Sequence, residues 1–212
     1  MPYHQIRVPE MPFDPEQHRR RSIRLKDYDY SWPGAYFVTV CAFQRKRLFG
    51  EVVDEEVRLS PLGGIVGDCW SEIPRHFDSV SLDTFVIMPN HIHGIVVIED
   101  ADLRTWRAEG RGTACRAPTV ERFAKPTANS LPTIIRSFKS AVTRRINAFR
   151  GVSGSAIWQR NYYEHIVRNE EDLSEARQYI ADNPSQWAFD RENPARVERA
   201  QLAEKANANS RR

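Results

Sequence analysis

The chain is short of the features that mark secreted and membrane proteins. Its 212 residues include only three cysteines, Cys41, Cys69 and Cys115. The number is odd and no Cys-x-x-Cys occurs, so neither a disulfide framework nor a zinc knuckle is implied, and a reducing cytosol fits. No run approaches the roughly 18 apolar residues of a membrane-spanning helix. The N-terminus is polar and contains prolines, without the apolar centre of a signal peptide. No internal repeat is seen. These absences predict a soluble cytoplasmic protein with no membrane partner. Acidic residues are missing from one stretch in particular. Between Asn129 and Gly151 there is none, against Arg136, Lys139, Arg144, Arg145 and Arg150. The whole chain carries a net charge of only +3, so this basic excess is local.

What is present reads as one domain with tails, or two small ones. Residues 1–21 hold Pro2, Pro9, Pro12 and Pro15 and end in Arg19-Arg20-Arg21, a composition that predicts a flexible basic arm. The β-branched and aromatic run 35–43 predicts a strand. Ser60 is placed as an N-cap with Pro61 at the first helical position. The runs 84–88 and 91–98, separated by Pro89-Asn90, predict a hairpin. Residues 99–129 are poor in apolar side chains and read as a disordered insertion. A helix is expected over 131–150, closed by Gly151, then a strand over 157–167. A last helix starts after Asn169, with Glu170, Glu171 and Asp172 favouring its positive end, and stops at Pro184. Residues 22–190 make the domain and 191–212 a polar tail. The order strand, helix, strand, strand, helix, strand is that of an α/β (α+β) sandwich of the ferredoxin-like β-α-β-β-α-β kind. It predicts an antiparallel sheet with helices on one face and an additional C-terminal helix.

Asn90-His91-Ile92-His93 opens the second strand of the hairpin. Side chains two apart on a strand share a face, so His91 and His93 point one way and Ile92 the other. Paired imidazoles on a rigid strand serve either as a metal site or as hydrogen-bonded strand residues. On the closing helix, Tyr179 and Asn183 are four apart and share a face, beside an apolar stripe of Leu173, Ala176 and Ile180. Asn183, before proline, is a natural helix-end residue; it can also offer an amide oxygen to a metal held by His91 and His93. Tyr179 would then lie beside that metal, and a phenol can form a covalent intermediate. Tyr162 and Tyr163 compete for that role. Alternation puts Tyr163 with His165 on one face and Tyr162 with Ile166 on the other, and the spacing to Asn183 favours Tyr179.

The helix 131–150 buries Ile134, Ile135, Phe138, Val142, Ile146 and Phe149 on one stripe. Arg136, Lys139, Thr143 and Arg150 line a flank. An uncompensated basic flank suggests a polyanion. The arm adds Arg19, Arg20, Arg21, Arg24 and Lys26, followed by Tyr28, Tyr30 and Trp32. Cations mixed with aromatics suit single-stranded nucleic acid, where phosphates pair and bases stack.

Taken together these segments resemble the REP-associated tyrosine transposases, a branch of the single-tyrosine HUH transposases. The matching stretches are Arg21-Ser22-Ile23-Arg24-Leu25, Gly34-Ala35-Tyr36-Phe37-Val38-Thr39, Met88-Pro89-Asn90-His91-Ile92-His93-Gly94, Ser137-Phe138-Lys139-Ser140, Trp158-Gln159-Arg160-Asn161-Tyr162-Tyr163 and Tyr179-Ile180-x-x-Asn183-Pro184. They run from about residue 19 to residue 190, and their order is more specific than any one of them. The resemblance implies a metal-dependent transposase and single-strand endonuclease. Tyr179 would attack single-stranded DNA and keep a 5′-phosphotyrosine link. His91, His93 and Asn183 would hold Mg²⁺ or Mn²⁺; insertion-sequence relatives usually carry a glutamine in the third place. It implies a hairpin substrate, with Arg21, Arg24, Lys26, Arg136, Lys139 and Arg144 contacting DNA, a nucleoid-associated location, and a monomer or homodimer. Two imidazoles and an amide would leave the ion its full charge to offset charge on a phosphate, and because Mg²⁺ prefers oxygen ligands the two nitrogens make Mn²⁺ an alternative. The alternative on the same surface is a sequence-specific hairpin-binding protein without turnover.

Overall fold

The computed structural model describes residue 25, residues 28–100 and residues 127–196. The expected arm over 1–21, Arg24, Lys26, nearly all of the insertion and the end of the tail lie outside the described residues.

The elements run β1 (Gly34–Cys41), β2 (Gly50–Val53), β3 (Glu56–Leu59), α1 (Pro61–Ser71), the short α2 (Ile73–His76), β4 (Val80–Met88), β5 (His91–Ile98), α3 (Leu131–Arg150), β6 (Tyr163–Val167) and α4 (Glu170–Asp182). Strands β4, β5, β1 and β6 form one sheet in that order, every neighbour antiparallel. This is the ferredoxin-like order, with the β2–β3 hairpin added between β1 and α1. That hairpin was not expected. Its two-residue turn, Asp54-Glu55, has positive φ at both positions (52° and 64°), the twist a tight hairpin favours. Asn-Gly or Asp-Gly would have announced it; Asp-Glu does not.

Local signals act where they were placed. The Ser60 hydroxyl accepts from Gly63 N–H and donates to the Leu48 carbonyl, which starts α1 and ties it to the preceding loop. Asn169 Oδ1 accepts from Asp172 N–H at 2.8 Å and starts α4. Gly151, at φ 64°, closes α3 in the left-handed conformation that glycine adopts without strain.

Alternation along β1 and β5 divides the core in two. Tyr36, Val38, Val40, Ile92 and Val96 face α1 and α3, where Val66, Trp70, Ile134, Phe138 and Val142 close over them. Gly94 sits in the same layer, and a Cβ there would run into the Trp70 ring. The opposite face carries a smaller cluster, Phe37, Ile95 and Ile180, with Leu173 and Ala176 packed against it. Helix α4 covers this second face.

Two expectations need correction. Only Tyr163–Val167 of the expected strand 157–167 is a strand. Residues 157–159 run beside the end of β1 through a single bridge, Ala42 to Trp158. Beyond it the Gln159, Arg160 and Asn161 carbonyls turn to the Lys139 ammonium rather than to a neighbouring strand. The buried stripe of α3 also stops short of its last turn. Phe149 has the right phase but is 63% exposed, because the core ends at Ile146 and Asn147.

Candidate metal and tyrosine site

The register Thr39↔His93 and Cys41↔His91 sets both histidines on the α4 face, in the middle of the sheet. Both are fully enclosed. Their Nε2 atoms lie 2.9 Å apart, a separation that two ligands of one ion would have. Each far nitrogen is held: His91 Nδ1 by Asn90 Oδ1 at 2.8 Å, and His93 Nδ1 by Thr39 Oγ1 at 2.8 Å. Burial pushes the His93 pKa down to about 3 and that of His91 well below the usual imidazole range, with His93 a second cause for His91. Both rings are therefore neutral near pH 7, the state a metal requires.

Helix α4 brings Tyr179 against His93, with the Asn183 amide on the Tyr179 hydroxyl. Three contacts fix it there. Ile180 is buried against Phe37 and Ile95. Arg177 forms a two-pronged pair with Asp83 of β4, Nη2 to Oδ2 at 2.6 Å and Nε to Oδ1 at 3.0 Å. Asp172 accepts from His165 of β6 at 2.8 Å. The Arg177 guanidinium holds the Asp83 carboxyl well below the usual carboxylate range. The Tyr179 ring packs edge-on to His93, centroids 5.1 Å apart, and to Phe37 at 5.8 Å. It remains 49% exposed. Burial raises its pKa, the Asp190 charge adds to that, and the Asn183 amide opposes it. The phenol is thus protonated at neutral pH and open to solvent on one side. Tyr163, the competitor, also touches the Phe37 ring, at 6.4 Å, but among the described residues its ring contacts do not include a histidine.

Asn183 caps α4 and is buried, and its Oδ1 has no hydrogen-bond partner. A buried acceptor left unpaired is costly. One site residue was not anticipated. Asp190, in the segment after α4, is buried with His91 and His93, the three ligand atoms all within 4.8 Å of one another. Its Oδ2 is 3.8 Å from His91 Nε2 and is also unpaired. The contact is not an ion pair, since burial keeps His91 neutral. Burial likewise raises the Asp190 pKa, against the Glu192 N–H and the Asn183 amide. Nothing local in the sequence flags Asp190; it looks like an ordinary turn acid before Arg191-Glu192-Asn193-Pro194.

The two imidazole nitrogens with the Asp190 carboxylate form a donor set that fits a divalent cation of intermediate hardness. The carboxylate changes the expected electrostatics: a set that includes Asp190 lowers the charge of a bound ion rather than leaving it whole.

The predicted DNA-contacting residues are placed unevenly. Arg136 and Arg144 are exposed on α3. Lys139 is half-buried, its ammonium on the Gln159 and Arg160 carbonyls, and burial lowers its pKa to about 8. Arg145 pairs with Glu72. Arg21, Arg24 and Lys26 lie outside the described residues.

No family model matches the chain. A Haemophilus influenzae protein described as uncharacterized is 40% identical over 177 residues, 82% of this chain and 92% of that one. Among solved structures, a REP-associated tyrosine transposase bound to a REP hairpin superposes with a TM-score of 0.52 at 18% identity, over 81% of this chain and 76% of that one. A putative transposase from Deinococcus radiodurans aligns over 78% of this chain and 97% of its own, at 16% identity and a TM-score of 0.40. In all, the chain belongs to one family with the Haemophilus influenzae protein, and its fold is that of a REP-associated tyrosine transposase.

Proposed function

We propose that the protein cleaves and rejoins single-stranded DNA at a hairpin-containing repeat, with Tyr179 as nucleophile. The observation that carries this reading is the half-exposed Tyr179 ring packed on His93, whose Nε2 lies 2.9 Å from that of His91, beside the unpaired Asn183 Oδ1 and Asp190 Oδ2. His91 and His93 would hold Mg²⁺ or Mn²⁺, with Asn183 and Asp190 as the oxygen ligands. Bound there, a divalent ion supplies Lewis acidity that offsets charge on the phosphoryl oxygens.

The rest of the chemistry belongs to the chain's own groups. Tyr179 Oη bonds to phosphorus and releases its proton to the solvent that reaches the ring. The bond from phosphorus to the 3′ oxygen breaks, and that oxygen leaves as a hydroxyl. The downstream fragment stays attached as a 5′-phosphotyrosine. The linkage keeps its phosphodiester character, so attack by a 3′-hydroxyl reverses it without a nucleoside triphosphate. Arg136 and Arg144 offer phosphate contacts on the α3 flank. The hairpin is proposed because the REP-associated tyrosine transposase of like fold is bound to one.

The test is a labelled single-stranded hairpin oligonucleotide incubated with Mn²⁺ and resolved on a denaturing gel. A covalent adduct is expected from the wild type and from Tyr163→Phe, and none from Tyr179→Phe. An adduct that survives Tyr179→Phe and is lost in Tyr163→Phe overturns the choice of nucleophile. Hairpin binding with no adduct under any divalent metal would support a DNA-binding protein without turnover.

A further inference from the structure

Asn90 lies in the turn between β4 and β5, has no exposed surface, and touches two parts of the chain, one 45 residues before it and one 102 residues after it. Its Nδ2 faces the Glu192 carbonyl at 2.7 Å and the Arg45 carbonyl at 3.1 Å. Carbonyl oxygens only accept, so the side chain's NH₂ must point that way and its oxygen the other. The oxygen faces His91 Nδ1 at 2.8 Å. An amide oxygen also only accepts, so His91 Nδ1 carries the proton and Nε2 the lone pair. That lone pair points at His93 Nε2 and towards Asp190 Oδ2. Thr39 does not impose the same choice on His93, because a hydroxyl can donate or accept.

The same amide holds the segment that delivers Asp190. Glu192 follows Asp190 by two residues, and its carbonyl is one of the two on Asn90. The segment is further tied by Arg45 Nε to Glu192 Oε2 at 3.1 Å and by Arg47 Nη2 to Asn193 Oδ1 at 3.0 Å. Those ties end on arginines that reach the surface, whereas Asn90 is fully buried.

We infer that Asn90 is a positioning residue that sets the tautomer of His91 with its oxygen and docks the Asp190 segment with its nitrogen. One amide thereby orients its neighbouring nitrogen ligand and a carboxylate ligand delivered from far along the chain. The tautomer half stands on the hydrogen bonds alone; the effect on metal affinity rests on the metal site proposed above. Partners of this kind behind a metal-bound histidine typically contribute roughly 10- to 100-fold in metal affinity.

The experiment combines ¹⁵N-histidine NMR of the EDTA-treated full chain with Mn²⁺ titration of the same samples. In the wild type His91 is expected as the Nδ1–H tautomer; an Nε2–H signal overturns the inference whatever the variants do. Asn90→Ala is expected to shift His91 towards Nε2–H and weaken Mn²⁺ binding about 10- to 100-fold. Asn90→Asp keeps an acceptor and loses the donor, so it should restore the Nδ1–H tautomer with only part of the affinity. Thr39→Val should leave the His91 tautomer unchanged. A folded Asn90→Ala, checked by circular dichroism, that keeps both tautomer and affinity overturns the inference. If it does not fold, the wild-type tautomer and Asn90→Asp decide: an Asp variant on Nε2–H counts against it. A wild type that binds no Mn²⁺ removes the proposed metal function, while the tautomer result still judges Asn90.

Discussion

The two faces of the sheet are built to different standards. The face under α1 and α3 is an apolar interior in which Trp70, Phe138 and Ile134 interlock with β1 and β5. The face under α4 has three buried apolar residues at its centre, Phe37, Ile95 and Ile180. Next to them it buries Thr39, His91, His93, Asn183 and Asp190. Burying polar groups without full pairing opposes folding, so the first face carries the stability on which the second depends. Strong packing on one side of a strand permits unpaired acceptors on the other, only a pleat away.

Truncation should show the contrast most strongly. Phe138→Ala removes a ring wedged between Trp70 and Trp158 and is expected to cost about 3–5 kcal/mol. Leu173→Ala, at the partly buried margin of the α4 cluster, should cost less than about 2 kcal/mol because the site is already open to solvent. Urea denaturation of both variants gives the comparison; equal losses would mean the two faces share one core.

Acid should act on the site face first. His91 and His93 have folded pKa values below the ordinary 6.5, that of His93 near 3. Between those limits the unfolded chain binds the protons and the folded chain does not. Their contribution is therefore fully present above about pH 6.5 and is lost as the pH falls through that window. In EDTA, the urea midpoint should decline from pH 6.5 downwards. Asp190, whose pKa is raised, works in the opposite sense at lower pH, so Asp190→Asn should steepen the decline. A midpoint that holds or rises between pH 6.5 and 5 contradicts the neutral-imidazole site.

The smallest effect belongs to the surface of α3. Arg136→Ala should weaken DNA binding alike across sequences and reduce the slope of log affinity against log salt by about one. A change in sequence preference at constant salt slope would instead place Arg136 on a base.

The legible parts of the molecule are those governed by short spacing. Ser60 and Asn169 cap their helices, and Gly151 ends α3. The pair His91 and His93 shares a face because a pleat repeats every two residues. Tyr179 and Asn183 share another because a helix nearly repeats every four. The β2–β3 hairpin escaped because Asp54-Glu55 lacks the glycine that usually marks such turns. Phe149 escaped because periodicity gives the phase of a stripe and not where the core ends.

The sequence by itself determined the order of the main sheet elements, the helix caps and which candidate residues share a face, since these follow from local backbone preference and alternation. Tertiary structure alone decided that Asp190 joins the histidines, that Lys139 turns to the Gln159 and Arg160 carbonyls, and that Asn90 ties the His91 ring to the Glu192 carbonyl. These contacts join residues far apart in the chain, and no periodicity marks them. The Lys139 and Asn90 contacts exist because buried donors and acceptors must find partners once the two faces of the sheet are closed, whereas Asp190 is brought in with its Oδ2 unpaired.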